Sequence, residues 1–181
     1  MRARLLCAIL LAMLPACDSS PRAPALSDDA LFVSASSGLK FVAPEKWMMT
    51  SRAELPTSAL AKPQLLVRYV NTHPEKSGDL EVFVANAGTV ADVNQFLRDH
   101  PVGGEKWTAE PGKAITVNGV EALRHDLKPA TKPKGKADIR REVTVFSRKD
   151  RTYVFIITYN AADTAVRDSV RQCIASVEWG A

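Results

Sequence analysis

The sequence predicts an α+β domain, a mainly antiparallel β-sheet flanked by helices, and three observations predict it. Hairpin signals join neighbouring strands, above all Asn118-Gly119 between two alternating apolar arms. The run from Tyr153 to Tyr159 is apolar or aromatic on both faces apart from Thr158, which marks a central strand covered on each side. Two other segments repeat their apolar residues at helical spacing. Strands, a helix, strand hairpins and a final helix, tightly connected, give α+β architecture.

The elements follow in chain order. "GLKFVAPEKW" predicts a strand from Leu39 to Ala43, a turn at Pro44-Glu45-Lys46 and a short strand carrying Trp47 and Met49. Pro63 to Val70 and Asp79 to Ala87 form a hairpin, with Leu80, Val82 and Val84 on one face and Glu81, Phe83 and Ala85 on the other. In "TVADVNQFLRDHP", Thr89 with Asp92 resembles a capping box, and Val90, Val93, Phe96 and Leu97 lie at helical spacing. This predicts a helix of about eleven residues stopped by Pro101. Gly103-Gly104 marks a bend. Two hairpins follow, turning at Asn118-Gly119 and at Lys149-Asp150. A last helix stacks Val166, Val170, Cys173, Ile174 and Val177 on one stripe and ends near Trp179.

Ahead of the domain, residues 1–16 have the layout of a signal peptide. Arg2 and Arg4 precede the apolar run from Leu5 to Leu14, and small residues follow. Ten apolar residues make roughly 15 Å of helix, half of a bilayer core. "LPAC" resembles the lipobox of bacterial lipoproteins, which implies that the Cys17 thiol is acylated and becomes the first residue of the mature chain. Two or more acyl chains anchor durably where one is marginal. Residues 17–35, including the polar stretch from Asp18 to Pro24, read as a lipidated tether, and residues 36–181 as the globular domain. Asp18 resembles the inner-membrane retention signal of enterobacterial lipoproteins. The location implied is the cell envelope, with the domain facing the periplasm.

Charge and cysteines narrow the function. The full chain carries +4, and removing Arg2 and Arg4 with the signal leaves about +2, little support for nucleic acid as a partner. Cys7 leaves with the signal and Cys17 is acylated, so Cys173 stands alone and no internal disulfide is expected.

The opening "GLKFVAPEKW" and the closing "YVFIITYNAADTAVRDSVRQCIASVEW" together resemble PsbP-like domains, including the bacterial DcrB-type lipoproteins. They match at a Gly-x-x-Phe-x-x-Pro-x-x-Trp start and an Ile-x-Ser-aromatic end. The resemblance covers roughly a quarter of the mature chain, and the middle agrees in element order. It implies an α/β/α sandwich and a non-catalytic role as an extrinsic subunit or assembly factor of a membrane complex. It transfers no catalytic residues.

The residues themselves name no reaction. No zincin, Cys-x-x-Cys, calcium-loop, nucleophile-elbow or phosphate-loop motif occurs, so neither a metal nor a cofactor is expected. His125 and Asp126 are adjacent on a strand and point to opposite faces, which disfavours a dyad. His100 suits the end of the first helix, His73 a solvated loop, and Cys173 the apolar stripe of the last helix. Trp47, Trp107, Trp179, Tyr153 and Tyr159 read as core or half-buried anchors, with an aromatic ligand cleft as the alternative.

One stretch is unevenly charged. From Arg124 to Arg151 ten basic residues face four acids, centred on Lys128, Lys132, Lys134 and Lys136 and followed by Arg140 and Arg141. Two readings stand. These residues contact an anionic surface such as lipid, an acidic partner or cell-wall polymer, or they form a solvated loop that keeps a sheet edge from pairing. Taken together, the sequence points to a lipid-anchored accessory protein of an envelope complex. The rivals are a small-ligand-binding lipoprotein and an envelope hydrolase using His125 with a carboxylate from another strand.

Overall fold

The computed structural model describes residues 30–73, 77–100, 106–130, 138–148 and 150–180. Eleven strands and two helices are defined among them. An antiparallel sheet runs in the order β3 (Trp47–Arg52), β4 (Gln64–Asn71), β5 (Gly78–Asn86), β10 (Arg151–Asn160), β9 (Ile139–Ser147), β8 (Val120–Pro129) and β6 (Trp107–Ala109). β7 (Lys113–Val117) pairs with β8 beside β6. β10 lies at the centre, and its continuous apolar run is buried on both faces, as the sequence predicts.

Alternation along the strands sorts the core in two. On one face Val82, Phe146, Tyr153 and Phe155 pack under helix α2 (Thr164–Ala175) and a three-stranded sheet of β1 (Leu31–Ser34), β2 (Leu39–Val42) and β11 (Glu178–Trp179). On the other face Phe83, Val143, Val145 and Val154 pack under helix α1 (Val93–Asp99). The expected α+β class is what the chain adopts. A bulge in β4 between Leu65 and Val67 breaks strict alternation, so that Leu66 and Val67 are both buried.

The opening and closing segments of the domain meet. Glu178 and Trp179 pair with Lys40 and Leu39, and the Gly180 N–H donates to the Gly38 carbonyl at 2.6 Å. Ser176 caps α2 and ties it to the small sheet: its hydroxyl donates to the Cys173 carbonyl at 2.6 Å and accepts from the Val42 N–H at 2.8 Å. Hence the opening and closing motifs form one packing unit.

Four expectations change. The tether was expected to extend to residue 35, yet β1 pairs with β2 and Phe32 is buried, stacked on Phe41 at 4.8 Å. "LFVS" has apolar side chains on both faces, so it lacks the alternation that marks a strand. Helix α1 has seven residues, not eleven: Asp92, not Thr89, is its N-cap and accepts from the Asn94 N–H at 2.8 Å. The short β6 strand carrying Trp107 was not predicted. The last helix ends at Ala175, because Val177 enters the core and Trp179 completes the edge of β2.

Candidate functional site

One cleft opens on the α1 face. It has a volume of about 710 Å³ and lies between the start of α1, the outer strands β8 and β9, and the β6–β7 connection. Val90, Val93, Ala109, Leu123, His125 and Val145 contribute to its walls.

Hydrogen bonds to main-chain groups build the walls. The Asn94 side chain accepts from the Ala109 N–H at 2.7 Å and thereby ties α1 to β6. The Glu110 N–H donates to the Asp126 carbonyl at 2.9 Å, extending the pairing beyond β6. The Glu110 carbonyl in turn accepts from His125 Nδ1 at 2.9 Å. Gly112 lies flat on that imidazole, so a Cβ at position 112 would fall 2.8 Å from His125 Cε1 and 2.9 Å from Nε2. The Nε2 atom is buried and has no hydrogen-bond partner among the described residues.

This arrangement gives His125 a structural task. One ring nitrogen is held by a main-chain carbonyl and the other is covered by Gly112, so neither reaches a molecule in the cleft. Its neighbour Asp126 pairs with Lys113 at 3.0 Å. The dyad disfavoured from strand geometry is therefore split between separate partners. Leu123, 48% exposed, is the large apolar side chain that the cleft leaves open to solvent. Sequence reasoning missed it, because an apolar residue in an alternating strand reads as core.

The remaining candidates lie elsewhere. Lys128 forms an ion pair with Glu110, and Arg140 pairs with Asp138 at 2.9 Å. Arg141 was expected at the surface, but it is buried over the Trp107 ring, 4.7 Å from its centroid, with Nε donating to Thr158 Oγ1 at 2.8 Å. It sits on the α1 face of β9, where alternation turns it inward while Arg140 turns to the opposite face. Lys132, Lys134 and Lys136, like Cys17 and Asp18, lie outside the described residues.

His100 closes α1 as expected, its Nδ1 donating to the Phe96 carbonyl at 3.0 Å and its ring stacked on Phe96. Cys173 is buried, and burial pushes its thiol pKa up. Trp47, Trp107, Tyr153 and Tyr159 are buried and Trp179 is half-buried; none of the five lines the α1-face cleft, while Trp47 lines a second cleft of about 700 Å³. An ionic cluster lies beside Arg141: Arg68 Nε donates to both carboxylate oxygens of Asp79, at 3.0 and 3.1 Å, and stands 3.7 Å from Glu81. Burial raises the Glu81 carboxyl above the usual range, Asp79 adds to the rise, and Arg68 and Arg141 oppose it. Among the described residues no group of His, Cys, Asp or Glu is arranged to hold a metal, and no helix is long and apolar enough to cross a membrane.

No protein-family model and no curated protein matches the sequence. Among solved structures, the chain superposes on the cyanobacterial PsbP protein CyanoP of Synechocystis sp. PCC 6803 with a TM-score of 0.57. The match covers 82% of this chain and 91% of that one at 10% identity. The fold is PsbP-like.

A chain of Bacteroides thetaiotaomicron VPI-5482 aligns with a TM-score of 0.48 at 10% identity, over 84% of this chain and 48% of that one. At such identities the PsbP-like likeness is one of fold. Within this PsbP-like fold the cleft opens on the face that α1 covers, opposite the small sheet where β2 and β11 pair.

Proposed function

We propose that this chain is an exported, lipid-anchored bacterial protein that acts by contact, as a non-catalytic accessory or assembly partner of an envelope complex. Cys17 carries the anchor, the domain faces the periplasm, and Asp18 favours the inner membrane. The observation that carries the contact reading is the chemistry of the cleft. Three of the side chains there that are capable of chemistry are already committed: His125 to a main-chain carbonyl, Asp92 to the α1 N-terminus and Glu110 to Lys128. What the cleft presents is apolar surface around Leu123, which suits a partner's side chain. The PsbP-like fold supports the same reading through the roles that the resemblance implies.

A second reading, binding of a small apolar ligand, is favoured by the cleft volume of 710 Å³. That volume lies within the roughly 300–1,000 Å³ of small-molecule sites.

Crosslinking in the native host, followed by mass spectrometry, tests the first reading. A photoreactive residue at position 123 is expected to capture one reproducible envelope protein, and labelled palmitate is expected on the wild type and not on Cys17→Ala. Capture of bystanders only, together with thermal stabilisation of the chain by a metabolite, would transfer the site to the ligand reading.

A further inference from the structure

The large exposed apolar side chains of the described residues gather, with one exception, in one place. Leu31, Val33, Val42 and Met48 are 52, 38, 50 and 48% exposed, and Leu123 alone lies elsewhere. Leu31 and Val42 are cross-strand partners, and Val33 sits opposite Lys40 on the same outward face of β1–β2. Val42 and Met48 line one further cleft with Lys46 and Thr72. The alternate residues Phe32, Leu39 and Phe41 point inward and hold the core, so the small sheet turns its second apolar face outward. A clustered patch of this kind marks an interaction surface.

The position of β1 indicates what meets it. The described chain begins at Ala30, beside Leu31, and Cys17 lies 13 residues earlier. At about 3.5 Å per residue, that segment spans at most about 45 Å. A bilayer holding Cys17 is therefore within reach of this face.

The strand registers place further groups at the same end. Trp47 pairs with Asn71, Val70 with Asp79, Tyr159 with Gly78, and Asn160 with Ile139. These contacts align the start of β3 with the start of β9, where Arg140 follows, and with the end of β8, where Lys128 lies. Exposed apolar residues, the start of β1 and these basic residues thus share one end of the domain.

We propose that this end is a membrane-contact face. Leu31, Val42 and Met48 settle at the boundary between headgroups and acyl chains of the bilayer that holds Cys17, with Lys40 and Lys46 beside the phosphates. The inference rests on the lipid-anchor reading above and adds an orientation: the domain lies on the membrane by this end and leaves the α1 cleft free for a partner.

The test uses the full chain, lipidated in a bacterial host and reconstituted into phosphatidylethanolamine/phosphatidylglycerol vesicles containing brominated lipid. A fluorophore is attached in turn to Leu31→Cys, Met48→Cys and, as a distant reference, Glu121→Cys. Flotation reports the anchor, and bromine quenching reports the face. Flotation with quenching several-fold stronger at positions 31 and 48 than at 121 is the expected result. Flotation with equal quenching at all three positions overturns the contact face and leaves the anchor standing. A chain that fails to float overturns both. A doubled mass in detergent that Met48→Asp returns to one chain assigns the patch to a second copy instead.

Discussion

Arg171 of α2 clamps Glu142 of β9 with two parallel hydrogen bonds, Nε to Oε2 at 3.0 Å and Nη2 to Oε1 at 2.8 Å. Tyr159 adds a third, its hydroxyl donating to Oε1 at 2.8 Å. The Glu142 side chain is 5% exposed, so these three bonds stand in for the water it has lost. The pair fixes the position of α2 on the sheet.

Breaking one half of this pair is expected to cost more than removing both. Arg171→Met strands a buried carboxylate and is expected to lower stability by about 2–3 kcal/mol, less than for a fully buried pair because Arg171 is partly exposed. Glu142→Leu combined with Arg171→Met is expected to recover part of that loss. Urea denaturation measures both, and a double variant less stable than Arg171→Met would contradict the account.

Gly78 has no room for a side chain. A Cβ there would meet Trp47 Cη2 and Val166 Cγ1, each at 2.7 Å. Gly78→Ala is expected to destabilise by about 1–3 kcal/mol through overpacking. Adding Val166→Ala relieves one of the two contacts, so the pair of substitutions should be less than additive.

Glu81 makes stability depend on pH with a definite sign. Its folded pKa lies above the unfolded value of about 4.3, so the fold favours the protonated form. That contribution is complete below the unfolded pKa and is lost as pH rises through the folded one. The unfolding free energy of the wild type minus that of Glu81→Gln is expected to fall over this window. A difference that stays flat or grows with pH would refute the assignment.

Cys173 should react only when the domain opens. It is buried, and its thiolate is disfavoured by desolvation alone. Thiol reagents are expected to modify it in denaturant and to leave it intact in the native state over the same minutes; rapid native labelling would show that the core beneath α2 is loose.

Leu123 separates function from folding. Because it is exposed, Leu123→Lys is expected to change stability by less than about 0.5 kcal/mol. The same substitution should abolish crosslinking of an envelope partner through the cleft. Unchanged partner capture would move the contact surface away from α1.

Several elements of the fold were legible in the chain because their signals are local. Asn118 and Gly119 adopt positive φ of 47° and 79° in the hairpin that their sequence predicts. β10 announced its central place by being apolar on both faces. The stripe of Val166, Val170, Cys173 and Ile174 marked α2. β1 and β11 had no such signal. Four and two residues long, they are strands only because β2 offers each an edge to pair with. The true cap of α1 was similarly hidden, since Thr89 and Asp92 both suit the role and the turn at Asn86–Thr89 takes Thr89 out of the helix.

The α+β class, the hairpin order, the central strand and the helical stripe of α2 follow from local patterns in the chain, since each depends on residues a few positions apart. The sequence also held the lipobox-like "LPAC" at Cys17, a linear signal that needs no fold to be read. Long-range packing sets the rest: Arg141 turns inward onto Trp107 while Arg140 turns to the other face, Gly112 covers His125, and Leu123 is left exposed. Those outcomes depend on which strand becomes the neighbour and which face it covers. Such contacts join residues far apart in the chain, and no local pattern encodes them.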